Sequence, residues 1–190
     1  MKWIQRALSR LHTRIGGPQP ADITGDPTVA ELRFVFGDPH VCTGCMICVN
    51  VCSMYYFKVI GPERARVRVL RIEPGLDFPL FCRNCEDAPC ISACPENALT
   101  RTSKGVIIVN NRLCTGCGLC VDACPYYAIH INPDNGKAIK CIQCEECVRR
   151  CPVGAIWMTT ERELAAHDSD GRLARLYEEH AAELYDRRGD

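Results

Sequence analysis

Cys114-Thr-Gly-Cys117-Gly-Leu-Cys120-Val-Asp-Ala-Cys124-Pro125 is the stretch whose reading decides the fold. The same figure returns three times. It appears as Cys42, Cys45, Cys48 and Cys52, as Cys82, Cys85, Cys90 and Cys94-Pro95, and as Cys141, Cys144, Cys147 and Cys151-Pro152. All 16 cysteines of the 190-residue chain belong to one of these blocks. The window they occupy is too short for four separate hydrophobic cores, so something besides side-chain packing must fill it. A disulfide framework needs an oxidising compartment. Arg6, Arg10 and Arg14 interrupt any apolar leader, no twin-arginine pair stands near the N-terminus, and no run of 18 apolar residues occurs. The expectation is a cytoplasmic protein without a transmembrane anchor, whose clustered thiols stay reduced and bind metal.

Spacing then selects the metal. C-x2-C-x2-C-x3-C-P is the run with which bacterial-type ferredoxins hold [4Fe–4S] clusters. Three cysteines in a tight, amide-rich loop reach three corners of one cube, and the fourth, expected at the start of a short helix, reaches the cube of a neighbouring block. Gly44, Gly116 and Gly118 are expected to leave room for backbone near sulfur. Pro95, Pro125 and Pro152 are expected beside the cofactor, fixing the turn after the fourth cysteine and removing an amide. Zinc sites instead pair two C-x2-C dyads across a gap, and here every block is self-contained. Block two departs by an x4 insertion, Glu86 to Pro89, and block one by Ser53 in place of the trailing proline. The cofactor expectation is four [4Fe–4S] clusters held by all sixteen cysteines.

Between the blocks the pattern is strand and turn. Ala98-Leu99 and Val106 to Val109 flank a Ser-Lys-Gly turn; Ala128 to Ile131 and Lys137 to Lys140 flank Pro133-Asp-Asn-Gly136. Both predict hairpins. Ala155 to Met158 predicts one more strand. Arg64 to Ile72 alternates Arg and Val, which predicts a half-buried strand with Arg66 and Arg68 on its polar face. Outside the core, residues 2–15 place Ile4, Leu8, Leu11 and Ile15 on one stripe of a basic amphipathic helix. In the tail, Thr160-Glu-Arg-Glu163 has capping-box spacing, with Leu173, Leu176, Tyr177, Leu184 and Tyr185 at helical intervals and Gly171 between two short helices. The fold class is therefore α+β: two ferredoxin-like modules with short helices and hairpins, plus N- and C-terminal helical extensions. The expected divisions are 1–30, a four-cluster core over 31–158 and a tail over 159–190. Within the core, the inner module covers about 80–131 and the outer one 41–72 with 137–158.

This cysteine order, with x4 in the second block and Cys52-Ser53 ending the first, resembles the four-cluster ferredoxin-like subunits of complex iron–sulfur oxidoreductases. The resemblance covers about residues 30–160 and is specific for the family rather than for one member. It implies nested ligand sharing. Cys82, Cys85, Cys90 and Cys124 would hold one cube, and Cys94, Cys114, Cys117 and Cys120 the next. Cys42, Cys45, Cys48 and Cys151 would hold a third, and Cys52, Cys141, Cys144 and Cys147 the fourth. Spacing alone leaves sequential pairing open. Short linkers make the chain most similar to the small subunit of cytoplasmic tungsten aldehyde oxidoreductases; a hydrogenase or formate dehydrogenase subunit is the alternative.

The resulting expectation is an electron-transfer subunit without catalytic residues of its own. It would relay single electrons between a tungsten or molybdenum pterin catalytic subunit and a flavin, NAD or ferredoxin acceptor. No G-x-G-x-x-G or P-loop occurs, so a flavoprotein partner would carry any nucleotide. Formal charge is zero, yet sixteen thiolates and four cubes make the loaded chain acidic, which excludes nucleic acid. The terminal helices suggest docking, including self-association into a chain of clusters. A free-standing polyferredoxin and a zinc scaffold are the other readings. The five histidines, at 12, 40, 130, 167 and 180, are scattered and are not expected to be ligands.

Overall fold

Each cysteine block breaks the chain into a loop and a helix, so strands have room only in the short intervals between blocks. The computed structural model describes residues 32–186. The amphipathic helix expected over 2–15 lies outside them. The elements run β1 (Phe34–Gly37), α1 (Ile47–Phe57), β2 (Arg68–Ile72), β3 (Leu76–Leu80), α2 (Pro89–Ser92), β4 (Leu99–Arg101) and β5 (Ile107–Val109). There follow α3 (Leu119–Asp122), β6 (Ile129–Ile131), β7 (Ala138–Lys140), α4 (Glu146–Arg150), β8 (Ile156–Thr159), α5 (Glu161–His167), α6 (Arg172–Glu179) and α7 (Ala181–Asp186). The result is a mixture of helices and small sheets.

The strands pair two by two, all antiparallel: β1 with β8, β2 with β3, β4 with β5 and β6 with β7. Both predicted hairpins are present, and β8 forms where Ala155 to Met158 predicts it. The Arg64–Ile72 expectation needs correction. Pro62–Arg64 is a 3-10 turn, and the strand begins only at Arg68. Arg68, Val69 and Leu70 are all buried, so the alternation in sequence does not become one wet and one dry face. Strand β3 is its partner, and packing on both sides overrides the period-2 signal.

Helix α1 is the long exception among the block helices. Ser53 follows Cys52 where the other blocks have proline, so nothing stops the helix. It continues to Phe57 and ends at Lys58, which takes a left-handed conformation at φ 62. Ser53 is fully buried; its hydroxyl donates to the Asn50 carbonyl (3.1 Å) and accepts from the Gly61 amide (3.3 Å). Block one packs through α1 against α4 of block four, while α2 of block two packs against α3 of block three.

The main core joins the cysteines to small apolar residues, among them Val35, Val49, Ala65, Val67, Ala98, Ala128 and Ala138, and to a few larger ones, Phe81, Leu99, Ile107, Ile129 and Ile156. Two satellite clusters hold the tail. Leu184 and Tyr177 meet Leu70, Ile72, Phe78 and Leu80 of the β2–β3 hairpin; Leu164 and Leu173 meet Phe34 and Phe36 of β1. The apolar stripe of the tail thus faces its own core. The Thr160–Glu163 capping box forms as expected, and Gly171 (φ 69) precedes α6. The Asp168 carboxylate, unremarked in sequence, accepts from the Leu173 (2.9 Å) and Ala174 (3.2 Å) amides and starts that helix. Among the described residues, no helix is long and apolar enough to cross a membrane.

Leu164 is 1% exposed. Truncating it in Leu164→Ala is expected to cost about 2–4 kcal/mol, read from the denaturant midpoint. His130 is partly buried in β6, and that burial, reinforced by Arg68, pushes its pKa down to about 4 from about 6.5. Below pH 6.5 the unfolded chain takes up a proton that the folded chain refuses, so stability falls as pH drops toward 4. The loss approaches about 3 kcal/mol, and thermal melts of His130→Gln should show a flatter slope across that window.

Candidate metal centres

The four blocks share one backbone figure. The residue before each second cysteine is left-handed: Gly44 (φ 62), Asn84 (φ 49), Gly116 (φ 77) and Gln143 (φ 61). A second left-handed residue, Met46, Ala88, Gly118 or Glu145, stands at the N-cap of the block helix, and none of these caps makes a side-chain hydrogen bond. The third cysteine (Cys48, Cys90, Cys120, Cys147) is then the second residue of that helix. Two reversals of the chain within a few residues turn the first three sulfurs toward one another. The fourth cysteine corrects the sequence expectation: Cys94, Cys124 and Cys151 stand at or just past the helix end, and Cys52 lies inside α1. Pro95 and Pro152 open the turns that follow, both exposed, and Pro125, partly buried, takes the same place.

The structure brings the sulfurs together in foursomes that cross between blocks. Cys85 lies in the electrostatic field of Cys82, Cys90 and Cys124. Cys120 lies in that of Cys94, Cys114 and Cys117. Cys48 is surrounded by Cys42, Cys45 and Cys151, and Cys147 by Cys52, Cys141 and Cys144. Block one is thus joined to block four and block two to block three, as α1–α4 and α2–α3 packing also has it. The foursomes are electrostatic neighbours in series. Cys120 raises the pKa of Cys90, Cys82 that of Cys141, and Cys48 that of Cys147. Exposed Cys117 and exposed Cys45 lie in the two end foursomes.

These donor sets fit a cofactor larger than one ion. Among the described residues, no three His, Cys, Asp or Glu side chains close on a point a single metal could occupy. One of the foursomes visibly surrounds a space. Cys52, Cys141, Cys144 and Cys147 line one open pocket, with Tyr56 and Arg66 at its wall. Backbone amides aim at the sulfurs: Arg66 to Cys52 (3.1 Å), Asn84 to Cys82 (3.4 Å), Ala98 to Cys94 (3.3 Å), Ala128 to Cys124 (3.4 Å), Ala138 to Cys114 (3.4 Å) and Gln143 to Cys141 (3.4 Å). Burial pushes the thiols of Cys48, Cys90 and Cys141 up to about 12, and those of Cys120 and Cys124 to about 11. Thiols held so high ionise only when a bound cation supplies the opposite charge.

Comparison with known proteins agrees with this geometry. Residues 75–161, covering blocks two to four, match the family described as a 4Fe-4S dicluster domain, and residues 39–55, covering block one, a 4Fe-4S binding domain. The polyferredoxin-like subunit of an aliphatic sulfonate oxidoreductase from Pyrococcus furiosus is 38% identical over 127 residues, 65% of this chain and 73% of that one. The chain belongs to the 4Fe–4S ferredoxin-like electron-transfer subunits of oxidoreductases. Other members of this family include the thiosulfate reductase electron transfer subunit PhsB of Salmonella typhi, 32% identical over 63% of this chain and 71% of its own. A tetrathionate reductase subunit from Archaeoglobus fulgidus is 36% identical over 59% of this chain and 55% of its own. As an iron–sulfur subunit, the chain carries multiple [4Fe–4S] clusters.

Several residues that shape the centres give no signal in sequence. Arg101 donates to the carbonyls of Asn84 (3.2 Å), Cys85, Glu86 (3.2 Å) and Gly105 (2.9 Å), and so ties down the enlarged loop of block two. Gln143 links the Cys82 carbonyl (2.7 Å) to the Val35 amide (2.7 Å). Arg66 stacks on the Tyr56 ring at 4.4 Å. The glycines also act differently from expectation. A Cβ on Gly116 would strike the Gly136 carbonyl, and one on Gly44 the Asp77–Arg71 ion pair, whereas Gly118 has open space. Gly116→Ala is therefore expected to lose about 2–3 kcal/mol and Gly118→Ala about 1, its left-handed backbone alone opposing it. Melting temperature and retained iron of the two variants check this ranking.

Proposed function

We propose that the chain is a four-cluster relay: two ferredoxin-like modules, blocks two with three and one with four, joined end to end. The observation that carries this is the serial arrangement of four cysteine foursomes, supported by the packing of block one on block four and of block two on block three. In order they are Cys94/Cys114/Cys117/Cys120, Cys82/Cys85/Cys90/Cys124, Cys52/Cys141/Cys144/Cys147 and Cys42/Cys45/Cys48/Cys151. When bound, [4Fe–4S] clusters supply one-electron redox chemistry at each foursome. The residues of the chain do the rest. Cysteines hold iron, and the six amides aimed at sulfur stabilise negative charge there. Val49, Val67, Ala98 and Ala128 keep water from the middle of the series. Exposed Cys45 and Cys117 put the two ends of the series within reach of partners.

For the partner we propose a large tungsten or molybdenum pterin oxidoreductase, with the tungsten aldehyde oxidoreductase first. Support comes from the short linkers and block order described above. The relatives are named for sulfonate, thiosulfate and tetrathionate enzymes, which makes a sulfur-compound oxidoreductase the second reading. A flavoprotein would supply NAD reactivity, and the site of action proposed is the cytoplasm.

Anaerobic isolation of the native complex tests both levels. About sixteen irons per chain are expected, with visible absorbance bleached by dithionite. Tungsten in a co-purifying large subunit, with aldehyde-dependent bleaching, supports the first partner reading. Bleaching only with a sulfonate, or reoxidation only by thiosulfate or tetrathionate, supports the second. An iron content of about eight or fewer would overturn the four-cluster relay.

A further inference from the structure

Lys140 ends strand β7, immediately before the first cysteine of block four, and its side chain is fully buried. Its ammonium donates to two backbone carbonyls, those of Ile107 and Cys141 (2.9 Å for the latter). Both partners are neutral. Among the described residues no carboxylate pairs with it, although the chain has 23 acidic residues. A buried cation without a counter-charge is expensive, and neutral carbonyls offset only part of that cost. The anions within its reach are sulfurs: Cys90 and Cys124 on one side, Cys141 on the other. Cys90 and Cys124 belong to the second foursome of the series and Cys141 to the third. Lys140 therefore sits at the junction between the two modules, where every electron crossing the chain must pass.

We propose that Lys140 is a positioning residue for electrons: its fixed positive charge raises the reduction potential of the two middle centres together, leaving the two end centres unaffected. The proposal rests on the four-cluster reading above. An electron entering either middle centre makes it more negative by one charge; no bond is formed or broken and no proton moves. The reductant and the acceptor are the oxidoreductase partners of the subunit. A nearby cation stabilises the reduced state more than the oxidised one, and it does so most where water is excluded. Placing one cation between two sites couples them. It lowers both by a similar amount in energy, so the reduced state is favoured at the junction while the step between the two middle centres is left unchanged. Arg66 contrasts with it. That guanidinium lies beside Cys52 and Tyr56 at the third foursome only.

The test is a potentiometric titration of the loaded full chain, followed by electron paramagnetic resonance, in wild type, Lys140→Gln and Lys140→Arg. Iron is counted first, and a wild type well short of about sixteen irons would contradict the four-cluster reading rather than this proposal. In fully loaded Lys140→Gln, two of the four centres are expected to become about tenfold harder to reduce, about 59 mV each for a one-electron couple. The other two should stay where they are, and Lys140→Arg should return the moved pair toward wild type. Unmoved potentials, an equal shift at all four centres, or identical behaviour of Gln and Arg would overturn the proposal. Failure of both variants to load iron would assign Lys140 to folding alone and overturn it too.

Discussion

Sulfur is the atom this chain has to crowd together, and the crowding is unfavourable by itself. Sixteen thiols share one small region, burial holds several of them well above their ordinary pKa, and each foursome makes its members costlier to ionise. A bound iron–sulfur cluster reverses the sign of every such contact, since iron supplies the cation that thiolates require. The rest of the architecture follows from that dependence. Cysteine, valine and alanine make up most of the main core, with Phe81, Leu99, Ile107, Ile129 and Ile156 as its larger members, so much of its interior is ordered around sulfur. The strands are three to five residues long because loops and turns around sulfur consume the remaining chain.

Charge is arranged around the same constraint. Positive groups stand close to the foursomes in graded depth: Lys140 fully buried at their midpoint, Arg66 partly buried against Cys52, and Arg101 across the block-two loop. Arg83 is buried as well, but its guanidinium stacks near Phe34, Phe36 and Tyr126, so it packs a satellite cluster. Formal neutrality of the whole chain hides this sorting. The cations near sulfur are buried or partly buried, while Glu63 and Glu161 lie toward solvent and the buried Asp77 beside Cys42 is paired with Arg71.

Much of this is legible in the order of residues alone. Cysteine spacing is a covalent constraint, so the four blocks and the two hairpins can be read from local signals such as Pro133-Asp-Asn-Gly136. Elements whose partners are distant in sequence cannot. Strand β1 is held by pairing of Phe34–Gly37 with Ile156–Thr159, and the short Phe34-Val35-Phe36 run, although β-forming, names no partner by itself. Strand β3 contains Pro79, which argues against a strand unless its partner is known. Spacing also leaves the pairing of blocks open, because block three is about equally far from two and from four; helix packing is what joins two to three and one to four. Lys140 reads as the end of a hairpin strand in sequence, and only burial shows it as an interior charge.

Iron removal under anaerobic conditions tests the central claim most directly. A chelator is added with reductant, and visible absorbance and far-ultraviolet circular dichroism are followed together. If cluster binding is the folding energy of the core, secondary structure should be lost in step with the absorbance, as a single transition. A chain that keeps its circular dichroism and a cooperative melt after all iron has gone would contradict the account.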